Sequence, residues 1–284
     1  MTTLPETTYF VKNKYIDKDH AFIHVNDIGL LRGYAVFDYL KTYFGKPFHL
    51  SDHLARLQQS AELIGLEIPY EKNKIEEICY ELLKRNNFPE SNLRIVVTGG
   101  VGRDSKTKGD PVLIVTCELR NEIDPELYNY GAKIKTVEGG RQLSLSKTCN
   151  YIMAIHYLDE FIQKGFTEVL YVLEGIVSEC TSSNFFIIQG KKLVTPYSGI
   201  LYGITRKVLM RICTSFMELE ERMITLEEAL KADEVFISST EKEVMPVTMI
   251  DENVIADGRV GPMTKRIRDE FHNYVESKVW VEKQ

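Results

Sequence analysis

The sequence predicts a protein of the α/β or α+β class that is folded in two domains. Its 284 residues exceed the usual size of one domain, and a hydrophobic fraction of 44% is enough to build two cores. Segments with a helical spacing of apolar residues alternate with Val- and Ile-rich segments of strand length. An acidic stretch without clear periodicity separates two such regions. We therefore predict a first domain over residues 1–120, a linker over 121–131 and a second domain over 132–284.

The first region combines strands with two helices. Four segments rich in β-branched and aromatic residues are predicted strands: 9–16, 35–43, 93–98 and 111–117. Ser51 is the predicted N-cap of the first helix. This helix and the next each have one apolar face, formed by Leu54, Leu57, Ala61 and Ile64 and then by Ile75, Ile78 and Leu82. The polar, glycine-rich residues 99–109 form a predicted loop between the last two strands.

The second region contains further strands, two hairpins and four helices. The predicted strands are 133–137, 143–147, a hairpin of 168–173 with 176–179, and a hairpin of 184–188 with 192–195. The predicted helices are 151–165, 205–219, 225–232 and 262–284. Thr225 and Glu228 form a capping box, and Pro262 occupies a first turn.

Composition and residue patterns argue against several classes of protein. The net charge is −6 without a basic stripe, which argues against binding to nucleic acid or to an anionic membrane surface. The longest apolar stretches have strand length, and residues 1–10 lack a signal pattern, so we expect a cytoplasmic protein without a membrane span. The five cysteines lack a C-x-x-C pair and the six histidines lack an H-E-x-x-H pair. Neither a disulfide framework nor a metal site is therefore expected.

Motifs of several common enzyme classes are incomplete. Gly100-Val101-Gly102 lacks the third glycine of a dinucleotide-binding motif, because Ser105 occupies that position. The chain contains neither a P-loop motif nor G-x-S-x-G, and Ser182 has no apparent histidine partner.

Lys147 ends a row of alternating apolar residues. In a strand over 143–147, Leu143, Leu145 and Lys147 would share one face. A lysine at the end of such a row enters a dry site, where desolvation disfavours the ammonium and leaves the amine free to form an imine. The alternative is a lysine whose stem lies along an apolar surface while its ammonium reaches water.

Seven short motifs occur in order along the chain. Those of the first region are Arg32-Gly33-Tyr34-Ala35-Val36-Phe37-Asp38 and His53-Leu54-Ala55-Arg56-Leu57. Those of the second are Lys147-x-x-Asn150-Tyr151, Glu179-Cys180-Thr181-Ser182-Ser183-Asn184, Gly203-Ile204-Thr205-Arg206, residues 233–240 and Gly261-Pro262. Over residues 25–271 this series resembles the class IV (fold type IV) pyridoxal-phosphate enzymes. That family includes branched-chain aminotransferases, D-amino-acid aminotransferases and aminodeoxychorismate lyase.

The resemblance implies how pyridoxal 5'-phosphate would be held. Lys147 would be the Schiff-base lysine and the proton carrier, and Glu179 would contact the pyridine nitrogen and keep it protonated. Tyr151 would bond the phenolic oxygen. The ordinary alternatives are a solvated turn acid for Glu179 and a core aromatic for Tyr151. The other predicted cofactor residues form a polar corner after Glu179 and a phosphate site that includes a helix N-terminus: Ser182, Ser183, Asn184, Arg56, Ile204, Thr205 and Thr240.

The predicted substrate residues depart from the family's usual pattern. D-amino-acid aminotransferases carry an Arg and a His in the loop after the 93–98 strand, where this chain has Gly99-Gly100. The family's G-D-G-V-[FY]-E segment also differs here, which changes the pocket wall that includes Phe37. Three arginines are candidates for binding a substrate carboxylate, with surface ion pairs as the alternative: Arg32, Arg94 and Arg103. Arg32 could serve a neighbouring subunit, and Arg141 could pair with Glu179.

The predicted activity is the transfer of an amino group between an α-amino acid and a 2-oxo acid. The amino acid would be a branched-chain-type L-amino acid or a D-amino acid, and the reaction would run as ping-pong half-reactions through Lys147. One alternative is a lyase that releases pyruvate from aminodeoxychorismate, and another is a noncatalytic cofactor-binding scaffold. The resemblance also implies a homodimer whose subunit has an N-terminal α/β sandwich and a C-terminal barrel-like α/β domain, with the active site near the interface.

Overall fold

Two compact units make up the computed structural model, which describes residues 7–281. The first unit holds the chain up to Asn121 together with Ser146–Asn150, and the second holds Glu122–Leu145 and Tyr151–Trp280. Lys147 therefore belongs to the first unit, although the predicted second domain contains it. The predicted domain boundaries and linker stay a prediction.

The first unit is an antiparallel sheet covered on one face by helices. Its strands in the described part of the chain are β1 (Thr8–Val11), β2 (Lys14–Asp17), β3 (Ala35–Tyr43), β4 (Lys46–Pro47), β5 (Ser91–Thr98) and β6 (Val112–Leu119). Their order in the sheet is β2-β1-β6-β5-β3-β4. Its α-helices are α1 (Ile28–Arg32), α2 (Leu50–Leu63) and α3 (Lys72–Asn86).

Side chains along the strands of this sheet alternate between the face that packs against the helices and the opposite face. Leu93 and Ile95 of β5 enter the core, where they meet Leu57 of α2 and Ile78 of α3. Arg94 lies between the two buried strand residues in sequence and is exposed, as a period of two requires. The sheet face opposite the helices therefore carries Arg94 together with the aromatic side chains of Phe37 and Tyr39.

The second unit is built around a larger mixed sheet. Its strands in the described part of the chain are β7 (Ala132–Glu138), β8 (Glu168–Leu173), β9 (Ile176–Cys180), β10 (Asn184–Gln189), β11 (Lys192–Thr195), β12 (Glu218–Glu221), β13 (Ile224–Thr225), β14 (Glu234–Ser239), β15 (Glu243–Ile250) and β16 (Asn253–Val254). Its helices are α4 (Glu126–Tyr130), α5 (Ile152–Gln163), α6 (Ile204–Cys213), α7 (Leu226–Leu230) and α8 (Pro262–Ser277).

Six of these strands close into a barrel-like sheet. The order β10-β14-β15-β7-β8-β9 returns to β10 because Glu179 of β9 pairs with Asn184 of β10. Strand β7 runs parallel to both β8 and β15, and the other pairs in the ring are antiparallel. The predicted α/β class and the barrel-like second sheet are thus confirmed.

Residues 143–147 do not form the predicted strand. Leu143 has a φ of 52°, in the left-handed region, and the segment forms a turn. The side chains of Leu143 and Leu145 are 61% and 43% exposed. Thr148, just beyond the segment, pairs with Val36 in an isolated bridge. An alternation over five residues does not make a strand when no adjacent strand pairs with the segment, and this prediction was wrong.

Local sequence signals predicted both hairpins of the second unit correctly, but they placed the start of one helix wrongly. The β8–β9 and β10–β11 hairpins are present as expected. Thr225 caps α7 by accepting a hydrogen bond from the Glu228 N–H, at 3.1 Å. Ser51 does not cap α2, because that helix begins at Leu50 and its N-cap residue is His49.

The apolar face of the predicted helix over 151–165 is present on α5 and is covered only in part, since Leu158 is half-buried. Ile152, Ile155 and Ile162 are 74%, 68% and 56% exposed. Ala154 is the buried residue of this helix. Between residues 7 and 281, no helix is both long enough and apolar enough to cross a bilayer.

Candidate active site

Hydrogen bonds to α2 and β3 fix the backbone of Lys147. Its N–H donates to Ser60 Oγ at 3.0 Å, and its carbonyl oxygen accepts from the Phe37 N–H at 2.9 Å. The adjacent Ser146 hydroxyl donates to the Ser60 carbonyl oxygen at 2.9 Å. The residue is therefore held in a defined position although its segment is not a strand.

The structure brings two predicted site residues, Lys147 and Arg94, to the aromatic ring of a third, Phe37. Lys147 Nζ lies 4.6 Å from the Phe37 ring centroid, and the Arg94 guanidinium carbon lies 5.5 Å from the same centroid. Arg94 also lies 5.2 Å from the centroid of Tyr39, its cross-strand neighbour. The Arg94 guanidinium next to an apolar ring attracts an anion that also carries an apolar group.

Cys149, two residues after Lys147, is not a nucleophile at neutral pH. Burial, which outweighs the opposite effect of Arg94 and Lys147, raises the pKa of its thiol to about 11. The thiol therefore stays protonated, and its chemistry does not compete with that of the lysine.

Arg56 is buried in an ion pair, whereas the helical pattern had left it free to be exposed. Its Nε and Nη2 donate to the two oxygens of Asp38 at 2.9 and 2.7 Å. His53 Nδ1 lies 2.6 Å from Asp38 Oδ1. Burial alone would raise the pKa of Asp38, but Arg56 and His53 hold it well below its usual value. The role of Arg56 at the cofactor's phosphate stays a prediction.

His53 is neutral at pH 7 in this arrangement. Burial lowers the pKa of its imidazole against the opposing effect of Asp38. The neutral ring donates from Nδ1 to the carboxylate. Its Nε2 is buried and has no hydrogen-bond partner within residues 7–281.

The other two candidate arginines lie elsewhere in the first unit. Arg32 is exposed and donates to Ser105 Oγ at 2.9 Å, in the glycine-rich loop over 99–109. Arg103 is exposed in the same loop. The structure thus joins Arg32 to this loop and places Arg94 beside Lys147.

In the second unit, Glu179 is buried and both of its oxygens accept hydrogen bonds. Arg141 Nη1 donates to Oε1 at 3.0 Å, which confirms the predicted pair. The Leu201 N–H donates to Oε2 at 2.9 Å. The carboxylate is therefore oriented from two sides, as a group that contacts a ring nitrogen requires. Tyr151 is half-buried immediately before α5.

The N-terminus of α6 lies against Asn184. Asn184 Nδ2 donates to the Leu201 carbonyl oxygen at 2.7 Å. A Cβ added to Gly203 would lie 2.2 Å from Asn184 Oδ1, so this close approach requires glycine. The side chains of Ile204 and Thr205 are buried in the first turn, and α6 has no side-chain cap.

These residues fit the phosphate group of pyridoxal 5'-phosphate. The N–H groups of a first helical turn have no acceptor within the helix, and the helix dipole favours an anion there. Thr240 is half-buried in the loop after β14 and offers a hydroxyl. Neutral donors of this kind bind an anion without adding a buried charge of their own.

Ser182 and Ser183 direct their hydroxyls to a carboxylate that the sequence did not point to. Glu168 accepts hydrogen bonds from Ser182 at 2.8 Å, from Ser183 at 3.1 Å and from Thr181. Lys242 Nζ lies 2.8 Å from Glu168 Oε2. Because a hydroxyl has one hydrogen to donate, these serines would have to release Glu168 before their hydroxyls could donate to a cofactor. Their predicted cofactor role is not tested by this geometry.

Sequence reasoning missed Ser60, Glu168 and Lys242. Ser60 lies within an ordinary helical pattern, and the two charged residues are 74 positions apart along the chain. Only an observed contact shows that such residues are partners.

Comparison with known proteins identifies the family. The family model described as amino-transferase class IV matches residues 35–250. A protein of Methanocaldococcus jannaschii, provisionally named a branched-chain-amino-acid aminotransferase, is 32% identical over 275 residues, which cover 92% of this chain and 94% of that protein. The D-alanine aminotransferase of Staphylococcus haemolyticus is 31% identical over 280 residues, which cover 96% of this chain and 99% of that enzyme.

The fold of this chain is also similar to that of a solved aminotransferase structure. The branched-chain aminotransferase of the archaeon Thermoproteus uzoniensis, solved with norvaline, has a TM-score of 0.87 and 26% identity, and the match covers 96% of each chain. Enzymes of this class use pyridoxal 5'-phosphate, so the predicted cofactor and family are confirmed. The chain belongs to the class IV aminotransferase family and is a pyridoxal-phosphate-dependent transaminase.

Proposed function

We propose that this transaminase moves the amino group of a branched-chain-type L-amino acid to a 2-oxo acid in two half-reactions, with Lys147 as the proton carrier. The observation that supports this most directly is the position of Lys147 and Arg94 at the same Phe37 ring. An amine, an anion-binding group and an apolar surface then lie together. This combination fits a substrate that has a carboxylate and an apolar side chain.

In this proposal, residues of the chain bind and orient the cofactor and the substrate, and one of them moves a proton. Bound pyridoxal 5'-phosphate supplies an electrophilic carbon and a ring that takes up electrons when the α-proton leaves. Lys147, held by Ser60 and by the Phe37 N–H, would remove and return that proton. Glu179 would hold the ring nitrogen in its protonated form, and the first-turn N–H groups of α6 would bind the phosphate.

We favour an L-amino acid because of the loop after β5. D-amino-acid aminotransferases carry an arginine and a histidine there, but Gly99 and Gly100 have no side chain that binds a carboxylate. Arg94 is therefore our candidate for the carboxylate-binding residue. The identity to D-alanine aminotransferases supports a D-amino acid as the second candidate substrate.

A lyase that acts on aminodeoxychorismate would use the same cofactor and the same lysine. The two reactions differ in their products, because a lyase releases pyruvate and needs no 2-oxo acid as an amino acceptor. The named relatives and the solved structure are aminotransferases, which favours amino transfer.

The test is a half-reaction screen of the purified holoenzyme. Single L- and D-amino acids are added without a 2-oxo acid, and the absorbance of the cofactor is followed. We expect L-leucine, L-isoleucine and L-valine to convert the aldehyde form and 2-oxoglutarate to restore it. Conversion by D-alanine alone would overturn the L assignment, and pyruvate release from aminodeoxychorismate without an acceptor would favour the lyase.

We also propose that the chain forms a homodimer. The family resemblance implies one, and α5 presents an apolar face that the rest of its own unit leaves exposed. An uncovered face of this kind is typical of a protein interface.

A further inference from the structure

The hairpin loop that carries Thr240 is short and tightly closed. Strands β14 and β15 pair up to Ser239 and Glu243, so the loop consists of the three residues 240–242. Glu243 closes it with a φ of 54°. A three-residue loop followed by a left-handed residue is a common hairpin connection. The position of Thr240 is therefore determined by a few neighbouring contacts.

Lys242, the last residue of this loop, is held at three points. Its N–H donates to Ser239 Oγ at 3.1 Å, and its carbonyl oxygen accepts from the Tyr128 hydroxyl at 3.1 Å. Its Nζ lies 2.8 Å from both Glu168 Oε2 and Ser182 Oγ. The side chain is 13% exposed, so the ammonium reaches inward from the loop.

Glu168 connects this lysine to the segment that follows Glu179. The carboxylate is 1% exposed and accepts the hydroxyls of Thr181, Ser182 and Ser183. The next residue, Asn184, lies against the N-terminus of α6. A single ion pair therefore links two segments that carry predicted cofactor residues.

We propose that Lys242 is a positioning residue, which through Glu168 holds the loop of Thr240 in register with residues 181–184 for binding the phosphate of the cofactor. This inference rests on the proposed function, because it takes Thr240 as a phosphate ligand.

The alternative is that the pair only stabilises the fold, and the energetics argue against it. A buried ion pair loses much of its attraction to desolvation and often contributes little net stability. Burial alone would lower the pKa of Lys242, but Glu168 raises it above its ordinary value. The amine therefore stays protonated and acts as a fixed charge. What such a pair supplies is a specific geometry.

The test compares two ligands that differ in the phosphate. Apo-protein is prepared from holoenzyme, and dissociation constants are measured for pyridoxal 5'-phosphate and for pyridoxal. For Lys242→Met we expect the constant for pyridoxal 5'-phosphate to rise about tenfold, roughly the loss of one charge-assisted hydrogen bond, with the constant for pyridoxal unchanged. Lys242→Arg should restore most of the loss.

Matched variants separate positioning from folding. Lys192 forms an exposed pair with Glu220 in the same unit, at 2.6 Å, and Lys192→Met should change neither constant. The double variant Glu168→Gln/Lys242→Met leaves no uncompensated buried charge. It replaces Lys242→Met in the measurement if that single variant does not fold. It should show the same phosphate-specific loss.

Each result has one meaning. Equal losses for both ligands, or no loss for either, overturn the positioning role of Lys242. Failure of the wild-type protein to bind pyridoxal 5'-phosphate overturns the proposed function instead. A loss confined to pyridoxal 5'-phosphate supports the inference.

Discussion

Asp38 has no exposed surface. The Arg56 guanidinium balances its charge, and the neutral His53 donates a further hydrogen bond to its carboxylate. Such a group is stable only while its partners remain paired with it. Replacing one partner leaves a buried charge or an unpaired polar atom. The effects of substitution at these three positions are therefore strongly coupled.

The neutral state of His53 predicts how stability depends on pH. Because its folded pKa lies below 6.5, the unfolded chain binds more protons than the folded chain as the pH falls from 6.5 toward the folded pKa. The free energy of unfolding should therefore fall on acidification, by up to about 1.4 kcal/mol per pH unit from this group. Urea denaturation between pH 7.5 and 5 measures it.

The control for this prediction is an exposed histidine. His53→Asn keeps a donor near the position of Nδ1 and removes the titration, so its slope should be shallower than that of the wild type. His24→Gln changes an exposed histidine and should keep the wild-type slope. Equal slopes in all three proteins would contradict the prediction.

Lys147 is expected to carry the chemistry. Lys147→Ala should lower the rate of amino transfer by about 10²–10⁴-fold, the usual contribution of a positioned proton carrier, or by more where the covalent link is also lost. Borohydride reduction and peptide mapping should label Lys147 in the wild type. Lys192→Ala, at an exposed lysine, should keep full activity, and a label on another lysine would contradict the assignment.

Arg94 differs from the other two candidate arginines in its position, because it lies at the Phe37 ring. Arg94→Gln should raise KM for the amino acid by about tenfold or more, because a charge-assisted hydrogen bond is lost. Arg103→Gln, in the exposed loop, should leave KM close to the wild-type value. Steady-state kinetics gives the KM of both variants. A larger increase in KM for Arg103→Gln than for Arg94→Gln would assign the carboxylate site to Arg103.

At the scale of elements, the start of α8 shows how distant residues complete a helix. Pro262 occupies the first turn as expected, but the cap comes from Glu234 of β14. Its carboxylate accepts from the N–H groups of Met263 and Thr264, at 2.9 and 2.7 Å. A carboxylate at a helix N-terminus satisfies free N–H groups and interacts favourably with the helix dipole.

Removing this cap should destabilise the protein measurably. Glu234→Ala should lower the free energy of unfolding by about 1–2 kcal/mol, the range for the loss of a helix N-cap. Glu234→Gln keeps an acceptor oxygen and loses the charge, so its effect should be smaller. Chemical denaturation of the three proteins gives the values, and an unchanged midpoint in Glu234→Ala would contradict the capping role.

At the scale of the whole molecule, the exposed face of α5 predicts association. Ile155 is 68% exposed, and Ile152 and Ile162 lie on the same helix with more than half of their surface exposed. Burial of such side chains against a second copy would remove apolar surface from water, which favours association. Monomers would leave this surface in water.

A charge on this face should therefore favour the monomer. Ile155→Glu is expected to halve the molar mass measured by size-exclusion chromatography with light scattering. Val254→Glu changes a half-exposed residue on β16 and should leave the mass unchanged. A wild-type monomer, or an unchanged dimer in Ile155→Glu, would contradict the proposed use of α5.

The class of fold, the two hairpins of the second unit and the family could all be predicted from the amino-acid sequence. Hairpins depend on residues close in sequence, as at Glu174-Gly175, so local patterns predict them. The motif around Glu179 could be read because its residues are contiguous. The pair with Arg141, 38 positions away, was predicted from the position of Arg141 near Lys147 in sequence, and the structure contains it.

The position of Lys147 and the pairing of the charged residues depend on contacts that form in the folded chain. The segment 143–147 alternates like a strand, yet it is a turn, because whether a segment becomes a strand depends on a neighbour it can pair with. Arg56 lies off the apolar stripe of α2 and is still buried, because Asp38 from another element binds it. The Glu168–Lys242 pair and the Glu234 cap join residues far apart in sequence. Such contacts leave no periodic trace, since their energy depends on distance and desolvation in the folded chain.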